Sequence, residues 1–170
     1  MSRVEPLLTI PVGVVIERRK STSPWADFIW RPVAVLPGVP EAAAWTVLDS
    51  DADWTNFYGG ATTIALYRSD TAGYRDNLAA GVALLWVVLQ PTGFDPPYAV
   101  AAVTADPGEG EAFTESATSL VEAVPMPEAV RTALADFVAR HHVERPFVRR
   151  QRDRADPEAM APPVVPKERT

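Results

Sequence analysis

The sequence contains no cysteine and only two histidines, His141 and His142. The absence of cysteine excludes disulfide bonds, thiolate zinc sites, cysteine-ligated iron–sulfur clusters and a cysteine nucleophile. Because reducing compartments disfavour disulfides, we expect a cytoplasmic protein. Long apolar runs are also absent: residues 7–16 are far shorter than the roughly 20 residues of a spanning helix. Their valine and isoleucine content favours a β-strand, and no signal-peptide cleavage site follows them.

Positive charge is scarce in the middle of the chain. The 170 residues carry a net charge of -6, and residues 37–139 alone carry -11. Residues 1–36 carry +2 and residues 140–170 carry +3. An anionic body repels phosphate backbones and acidic membrane surfaces. We therefore expect neither a nucleic acid nor a membrane as the partner of this body.

The first half of the chain is typical of antiparallel β-structure. Residues 10–19 and 25–36 are predicted strands, and the turn-forming residues 20–24 join them in a hairpin. Three short strands are predicted next, at residues 45–49, 54–58 and 61–68. Gly59 and Gly60 are predicted to form a turn between the last two of these. Strands this close in sequence pair antiparallel, because a parallel crossover needs a dozen or more residues.

The second half of the chain mixes helices with strands. Residues 82–89 are apolar at every position, which predicts a central strand covered on both faces. Another strand is predicted at residues 98–105. Ser69 is predicted to cap a helix that ends near Ala80, with Gly81 as a left-handed C-cap.

Two further helices are predicted, over residues 109–118 and from Pro127 to His141; the second shows a clear apolar stripe. The pattern predicts an α+β fold, with a mostly antiparallel sheet or partial β-barrel and two to three packed helices. We expect a single domain over residues 1–148. The charged, proline-rich residues 149–170 are expected to be a disordered tail.

No segment presents a complete metal or nucleotide site. Residues 49–53 alternate aspartates as calcium loops do, but Trp54 and Gly60 occupy the EF-hand positions that require glycine and glutamate. Residues 108–113 supply only two of the three glycines of a dinucleotide fingerprint. Neighbouring histidines point about 100° apart on a helix and cannot chelate one metal. We therefore expect no cofactor and no metal.

An arginine-rich segment near the C-terminus is the most distinctive feature of the sequence. Its candidate partner-binding residues are Arg145, Phe147, Val148, Arg149, Arg150, Arg152 and Arg154. Arginines bind carboxylates and phosphates, and two apolar side chains favour docking on a protein surface over simple solubilisation. The alternative is a solvated tail that aids solubility or folds back onto the acidic body.

Several stretches resemble a bacterial protein family, domain-of-unknown-function 3305. They are residues 11–20, 23–27, 30–38, 74–78, 103–113 and 140–147. Genes of this family tend to lie beside those of molybdenum-dependent formate dehydrogenases. The resemblance therefore implies an accessory role in building or regulating such an enzyme, and it supplies no catalytic residues.

The leading hypothesis is a non-enzymatic accessory or binding protein whose partner is a formate dehydrogenase subunit or maturation factor. One alternative is an enzyme or cofactor-handling protein of molybdopterin metabolism, with Trp25, Trp30 and Arg31 lining a pocket. A second alternative is an RNA-binding regulator that uses the arginine tail. A deep pocket would favour the enzyme, and an exposed apolar surface would favour the binding protein.

Overall fold

The computed structural model describes residues 4–143 of the chain. Within this range seven strands and three α-helices follow one another. They are β1 (Leu8–Lys20), β2 (Phe28–Pro37), β3 (Val47–Ser50), β4 (Trp54–Leu66), α1 (Thr71–Ala79), β5 (Leu84–Pro91), β6 (Tyr98–Thr104), α2 (Pro107–Thr114), β7 (Leu120–Pro125) and α3 (Glu128–His141). The candidate partner-binding residues of the arginine-rich segment, which lie between Arg145 and Arg154, are outside the described residues.

The strands form two open antiparallel sheets. Sheet A has the order β2-β1-β4-β3, and sheet B has the order β6-β5-β7. All described pairings are antiparallel, as short connections require. Strand β4 lies beside β6, and β2 lies beside β7, although no ladder joins the two sheets. The predicted α+β fold with mostly antiparallel sheets is therefore confirmed.

The core lies between the two sheets and extends under the helices. Alternate residues of the central strands β1 and β5 face it, since successive strand side chains point to opposite faces. Its main members are Val12, Val14, Ile16, Leu85, Val87, Leu89, Val130, Leu134 and Phe137. Burying each of these side chains stabilises the fold by about 1.5–3 kcal/mol relative to its exposure.

Strand β5 confirms the interpretation of the continuous apolar run. It is the middle strand of sheet B, and Val88 on the face opposite Val87 is as fully buried as Val87. Helix α2 provides the cover on that side, because Gly110 packs against the indole of Trp86. The first predicted residue, Val82, instead lies before the strand and is 62% exposed.

The prediction of a turn at Gly59 and Gly60 is wrong. Strand β4 runs through both glycines, and its register against β1 shifts between Val14 and Val15, so that Gly59 is an extra residue. This is a β-bulge, in which Gly60 has φ +114°. A Cβ on Gly59 would overlap the side chain of Ile16. Glycine is therefore required by close packing within a strand, not by a chain reversal.

The ends of α1 also differ from the prediction. The helix begins at Thr71, after a 3₁₀ turn over Arg68–Asp70, and Asp70 rather than Ser69 precedes it. Ala80 is the C-cap and has an extended backbone, and Gly81 is not among the residues with positive φ. Side-chain hydrogen bonds fix the C-terminal turn of α1 instead. Buried Asn77 donates from Nδ2 to the carbonyls of Leu84 and Ala105 and accepts from the Leu84 N–H.

The remaining elements agree with the sequence to within a few residues, with one omission. Helix α2 starts at Pro107 because Asp106 caps it, accepting a 3.1 Å hydrogen bond from the Gly108 N–H. Strand β7 was not predicted, since Leu120–Pro125 is short and largely exposed. No helix among the described residues is long and apolar enough to span a bilayer.

Candidate interaction surface

Two turns of sheet A lie side by side, far along the sheet from α1. They are the β1–β2 turn, residues 21–27, and the β3–β4 turn, residues 51–53. The N–H of Lys20 donates a 2.8 Å hydrogen bond to the carbonyl of Asp53 and so links the two turns. This link follows from the antiparallel order β2-β1-β4-β3, which places both turns at the same end of the strands.

The β5–β6 loop of sheet B, residues 92–97, lies at the same end of the molecule as these two turns. Tyr98, which follows this loop, lies 6.3 Å from Trp30 of β2, measured between ring centroids. We call residues 21–27, 51–53 and 92–97, with the strand residues next to them, the loop end of the molecule.

Large apolar side chains are exposed at the loop end. Trp25 is 93% exposed and Phe94 is 82% exposed, and both lie in its connecting segments. Phe28 and Ile29, at the start of β2, are half-exposed. A single exposed apolar residue is ordinary, but several large ones from two neighbouring loops make the loop end a candidate interaction surface.

Local hydrogen bonds hold the turn that carries Trp25. The N–H of Trp25 donates to Ser23 Oγ at 3.3 Å, and the N–H of Ser23 donates to Ser21 Oγ at 3.0 Å. The N–H of Ser21 in turn donates to the carbonyl of Asp27 at 3.0 Å. Serines at alternate positions thus replace a regular ladder, and the indole projects from an ordered turn.

Thr92 organises the loop that carries Phe94. Its Oγ1 donates to the carbonyl of Pro96 at 2.7 Å and accepts from the N–H of Phe94 at 3.1 Å. The N–H of Thr92 donates to the carbonyl of Pro97 at 2.9 Å. The phenyl ring is therefore presented on a closed loop, which lowers the entropy that binding would cost.

A cluster of aromatic rings packs together next to the turns of the loop end. Trp30 stacks on Phe57 with centroids 6.0 Å apart and meets the edge of Trp45 at 5.9 Å. The guanidinium of Arg18 lies over these rings, 4.5 Å from the centroid of Phe28 and 5.2 Å from that of Phe57. Stacking and cation–π contacts of this kind each contribute about 0.5–1.5 kcal/mol. They make the base of the surface rigid.

The opposite face of sheet A carries a charged triad, Glu17, Arg19 and Arg31. Glu17 Oε1 accepts from Arg19 Nε at 3.0 Å and from Arg31 Nε at 3.2 Å. The carboxylate is 9% exposed, whereas the arginine side chains are 45% and 52% exposed. Burial raises the pKa of Glu17, but the hydrogen bonds and charges of the two arginines outweigh burial and hold that pKa below its usual value.

The depression described at the loop end is too small for a metabolite. Its volume is about 40 Å³, and its lining includes Arg18, Lys20, Phe28 and Trp54. Small-molecule sites occupy about 300–1,000 Å³. The depression is therefore smaller than a typical small-molecule site.

The three residues proposed to line a pocket are not brought together. Trp25 is exposed on its turn, and Trp30 is packed among aromatic rings. Arg31, the next residue in β2, points to the opposite face of the sheet and pairs with Glu17. Trp25 is therefore exposed at the loop end and Trp30 lies in the aromatic cluster, while Arg31 belongs to the charged triad on the other face. The sequence signal for Phe94, an isolated aromatic in a loop of proline and glycine, was missed.

The structure places the other candidate motifs in packing roles. His142 Nδ1 lies 3.1 Å from Thr71 Oγ1, and the ring of His141 lies 4.6 Å from that of Phe137. The exposed aspartates near residue 51 form a turn, in which Asp51 accepts from the N–H of Asp53.

One carboxylate cluster among the described residues was not predicted. Asp70, Asp106 and Glu109 place carboxylate oxygens within 4.8 Å of one another. Asp70 precedes α1, while Asp106 and Glu109 lie at the start of α2, where helix dipoles stabilise negative charge. The sequence feature that could have indicated this cluster is the presence of acidic residues at the starts of two helices. Only the packing of α1 against α2 makes these residues neighbours.

Comparison with known proteins gives a match to one family model. The family is described as a protein of unknown function (DUF3305), and residues 11–151 match it. Neither the curated proteins nor the solved structures include a significant match. The matched range contains the entire loop end and the charged triad.

Proposed function

This chain belongs to the DUF3305 family, and within it we propose that the chain is a non-enzymatic protein-binding module whose loop end docks on a partner protein. The observation that carries the proposal is Trp25, 93% exposed on a hydrogen-bonded turn, with Phe94 exposed on a second ordered loop. Tryptophan, tyrosine and arginine dominate interface hot spots, because they combine a large apolar area with directional contacts. Preordered loops reduce the entropy lost on binding.

The partner we propose is a subunit or maturation factor of a molybdenum-dependent formate dehydrogenase, and the site of action is the cytoplasm. The support is the accessory role that the family resemblance implies. The surface itself supports a macromolecule rather than a metabolite, since its depression of about 40 Å³ is far below the size of a ligand pocket. The arginine-rich tail, including Phe147 and Arg149, remains a proposed second contact outside the described residues.

The test is co-purification of the tagged full-length chain with formate dehydrogenase from a host that encodes both. Trp25→Ala and Phe94→Ala remove the two exposed rings, and each should weaken capture roughly 30-fold, about 2 kcal/mol, as hot-spot residues do. Val82→Ala is the matched control, because Val82 is 62% exposed but lies at the α1–β5 connection.

The two ring variants should melt at the same temperature as the unmodified chain, since neither ring is buried. Unchanged capture by both of them would refute docking through the loop end. Capture of a different protein, weakened by the same two variants, would retain the binding role and replace the partner. Turnover of a molybdopterin precursor by the purified chain would favour the enzymatic alternative.

A further inference from the structure

Two arginines, Arg19 and Arg31, lie on the outer face of sheet A, which is the face that carries the charged triad. Arg19 and Arg31 both bond to Glu17, so one buried carboxylate holds two guanidinium groups. The three side chains sum to one positive charge at a single spot on the surface. Because Glu17 is nearly buried and both arginines are about half-exposed, the guanidinium groups rather than the carboxylate face solvent.

Arg31 retains most of its hydrogen-bonding capacity. It uses only Nε towards Glu17, and neither of its Nη atoms makes a hydrogen bond or ion pair within residues 4–143. A guanidinium fixed through Nε and open at both Nη atoms is oriented for a bidentate contact with a second carboxylate. Fixing it in advance also removes part of the side-chain entropy that such a contact costs.

Apolar side chains flank the pair in the register of the sheet. Ile29 and Trp54 are the cross-strand neighbours of Arg19 on the two sides. Ile29 is 53% exposed and Trp54 is half-buried. Residues directly opposite one another on antiparallel strands lie with Cβ atoms about 4.5–5.5 Å apart. The surface therefore offers cationic and apolar contacts within the reach of one short peptide.

Negative charges beside the pair select against dense polyanions. Asp51 and Asp53 interact electrostatically with Arg19, and residues 37–139 carry a net charge of -11. A nucleic acid carries one charge per phosphate, and the phosphates next to the bound one would be repelled by Asp51, Asp53 and the anionic body. A carboxylate on a peptide requires only one cationic contact and brings apolar neighbours with it.

From this arrangement we infer that Arg31, with Arg19 and the braced Glu17, binds an acidic side chain within an acidic-and-apolar segment of the partner protein. The inference rests on the proposed binding function and names the chemistry that the surface recognises. Arg31 makes the direct contact with the ligand. Glu17 is a positioning residue, because it acts by holding the two guanidinium groups.

The test uses the full-length chain and a fluorescein-labelled peptide of serine and leucine with one central glutamate, with fluorescence anisotropy as the readout. The same peptide with glutamine in place of glutamate should bind at least about tenfold more weakly. Arg31→Gln should also lower the affinity for the glutamate peptide about tenfold. Arg131→Gln is the matched control, since Arg131 is likewise 52% exposed and paired with a glutamate.

Two further variants keep the test decisive. Arg31→Lys preserves a cation beside Glu17 but removes the bidentate fork, so it should fold normally and still lose most of the affinity. Arg149→Gln combined with Arg150→Gln measures binding through the tail. The inference is overturned if the glutamate peptide does not bind, if Arg31→Gln behaves like Arg131→Gln, or if only the tail variant loses binding.

Failure of this inference is distinguishable from failure of the proposed function. If Trp25→Ala abolishes partner capture while Arg31→Gln and Arg31→Lys leave peptide binding unchanged, the docking function stands and the carboxylate contact is refuted. A labelled single-stranded RNA that binds more tightly than the peptide, and loses that affinity in Arg31→Gln, would overturn the assignment to an acidic peptide.

Discussion

Gly110 of α2 lies directly against the indole ring of Trp86 in β5, so closely that a Cβ on the glycine would overlap the ring. This contact seats α2 on the outer face of sheet B. It also accounts for a glycine that, in the sequence, resembled part of a dinucleotide-binding fingerprint. The glycine provides room for a helix–sheet contact, and Glu109 lies in the first turn of the helix, where the dipole favours it.

Gly110→Ala should therefore destabilise the fold. Overpacking against a fixed ring costs about 1–3 kcal/mol. Gly108→Ala is the control in the same helix, because its nearest neighbour would be Asp106 Oδ1 at an ordinary 3.6 Å. Alanine has the higher helix propensity, so the control should be neutral or slightly stabilising. Urea denaturation of both variants is the measurement, and equal stabilities would contradict the packing argument.

Glu17→Gln should reduce stability at neutral pH by about 1–2 kcal/mol, because the charge-assisted hydrogen bonds to two half-exposed arginines are weakened. The folded-state pKa of Glu17 is lowered. Its contribution is therefore present above the unfolded value near 4.5 and is lost as pH falls through the lower folded value.

The stability difference between the unmodified chain and Glu17→Gln should accordingly shrink as the pH falls below about 4.5. Thermal melts between pH 3 and pH 7 measure this difference, with Glu122→Gln on an exposed strand position as the control. A difference that stays constant over this range would show that the charge on Glu17 does not stabilise the fold.

Asn77 should be among the polar residues least tolerant of change. Its amide makes three hydrogen bonds that join α1 to the start of β5 and to the residue after β6. Asn77→Ala leaves buried backbone groups unpaired and should cost on the order of 3 kcal/mol. Asp76→Ala, an exposed change one residue earlier, should cost far less. Chemical denaturation compares the two, and a similar small loss for both would refute the role of the amide.

Tyr74 should make the fold sensitive to alkali. Burial raises the pKa of its hydroxyl well above the usual 10.0, and that oxygen accepts a hydrogen bond from the N–H of Tyr67. Above pH 10 the unfolded chain ionises this group while the folded chain keeps it protonated. Stability should then fall by up to about 1.4 kcal/mol per pH unit.

The phenylalanine variant isolates this effect. Tyr74→Phe should lose about 1 kcal/mol at neutral pH, because the Tyr67 N–H no longer has this acceptor. It should also lose the alkaline slope that Tyr74 contributes. Tyr98→Phe serves as the matched substitution at a half-buried position of the loop end. An unchanged pH profile in Tyr74→Phe, measured by urea denaturation from pH 8 to pH 11, would refute the assignment.

The sequence did not predict the candidate surface as such. It offered Trp25, Trp30 and Arg31 as the lining of a possible pocket, whereas the structure leaves Trp25 and Arg31 exposed. Their grouping with Trp30 in one pocket was not supported by the geometry, because adjacent residues of a strand point to opposite faces. Phe94 was missed because nothing in the sequence around it indicates that Tyr98, at the end of its loop, packs against Trp30 of the distant strand β2.

The sequence by itself determined most of the element types, although it missed β7 and placed a turn inside β4. Continuous apolarity specified β5 as a central strand, and the apolar stripe specified α3, since both patterns are local. Only the tertiary structure decided which residues meet. The register of β1 against β2 places Arg31 opposite Glu17, and a bulge at Gly59 replaces the expected turn. Such choices depend on side chains distant in sequence, as when Ile16 fills the space that a Cβ on Gly59 would need.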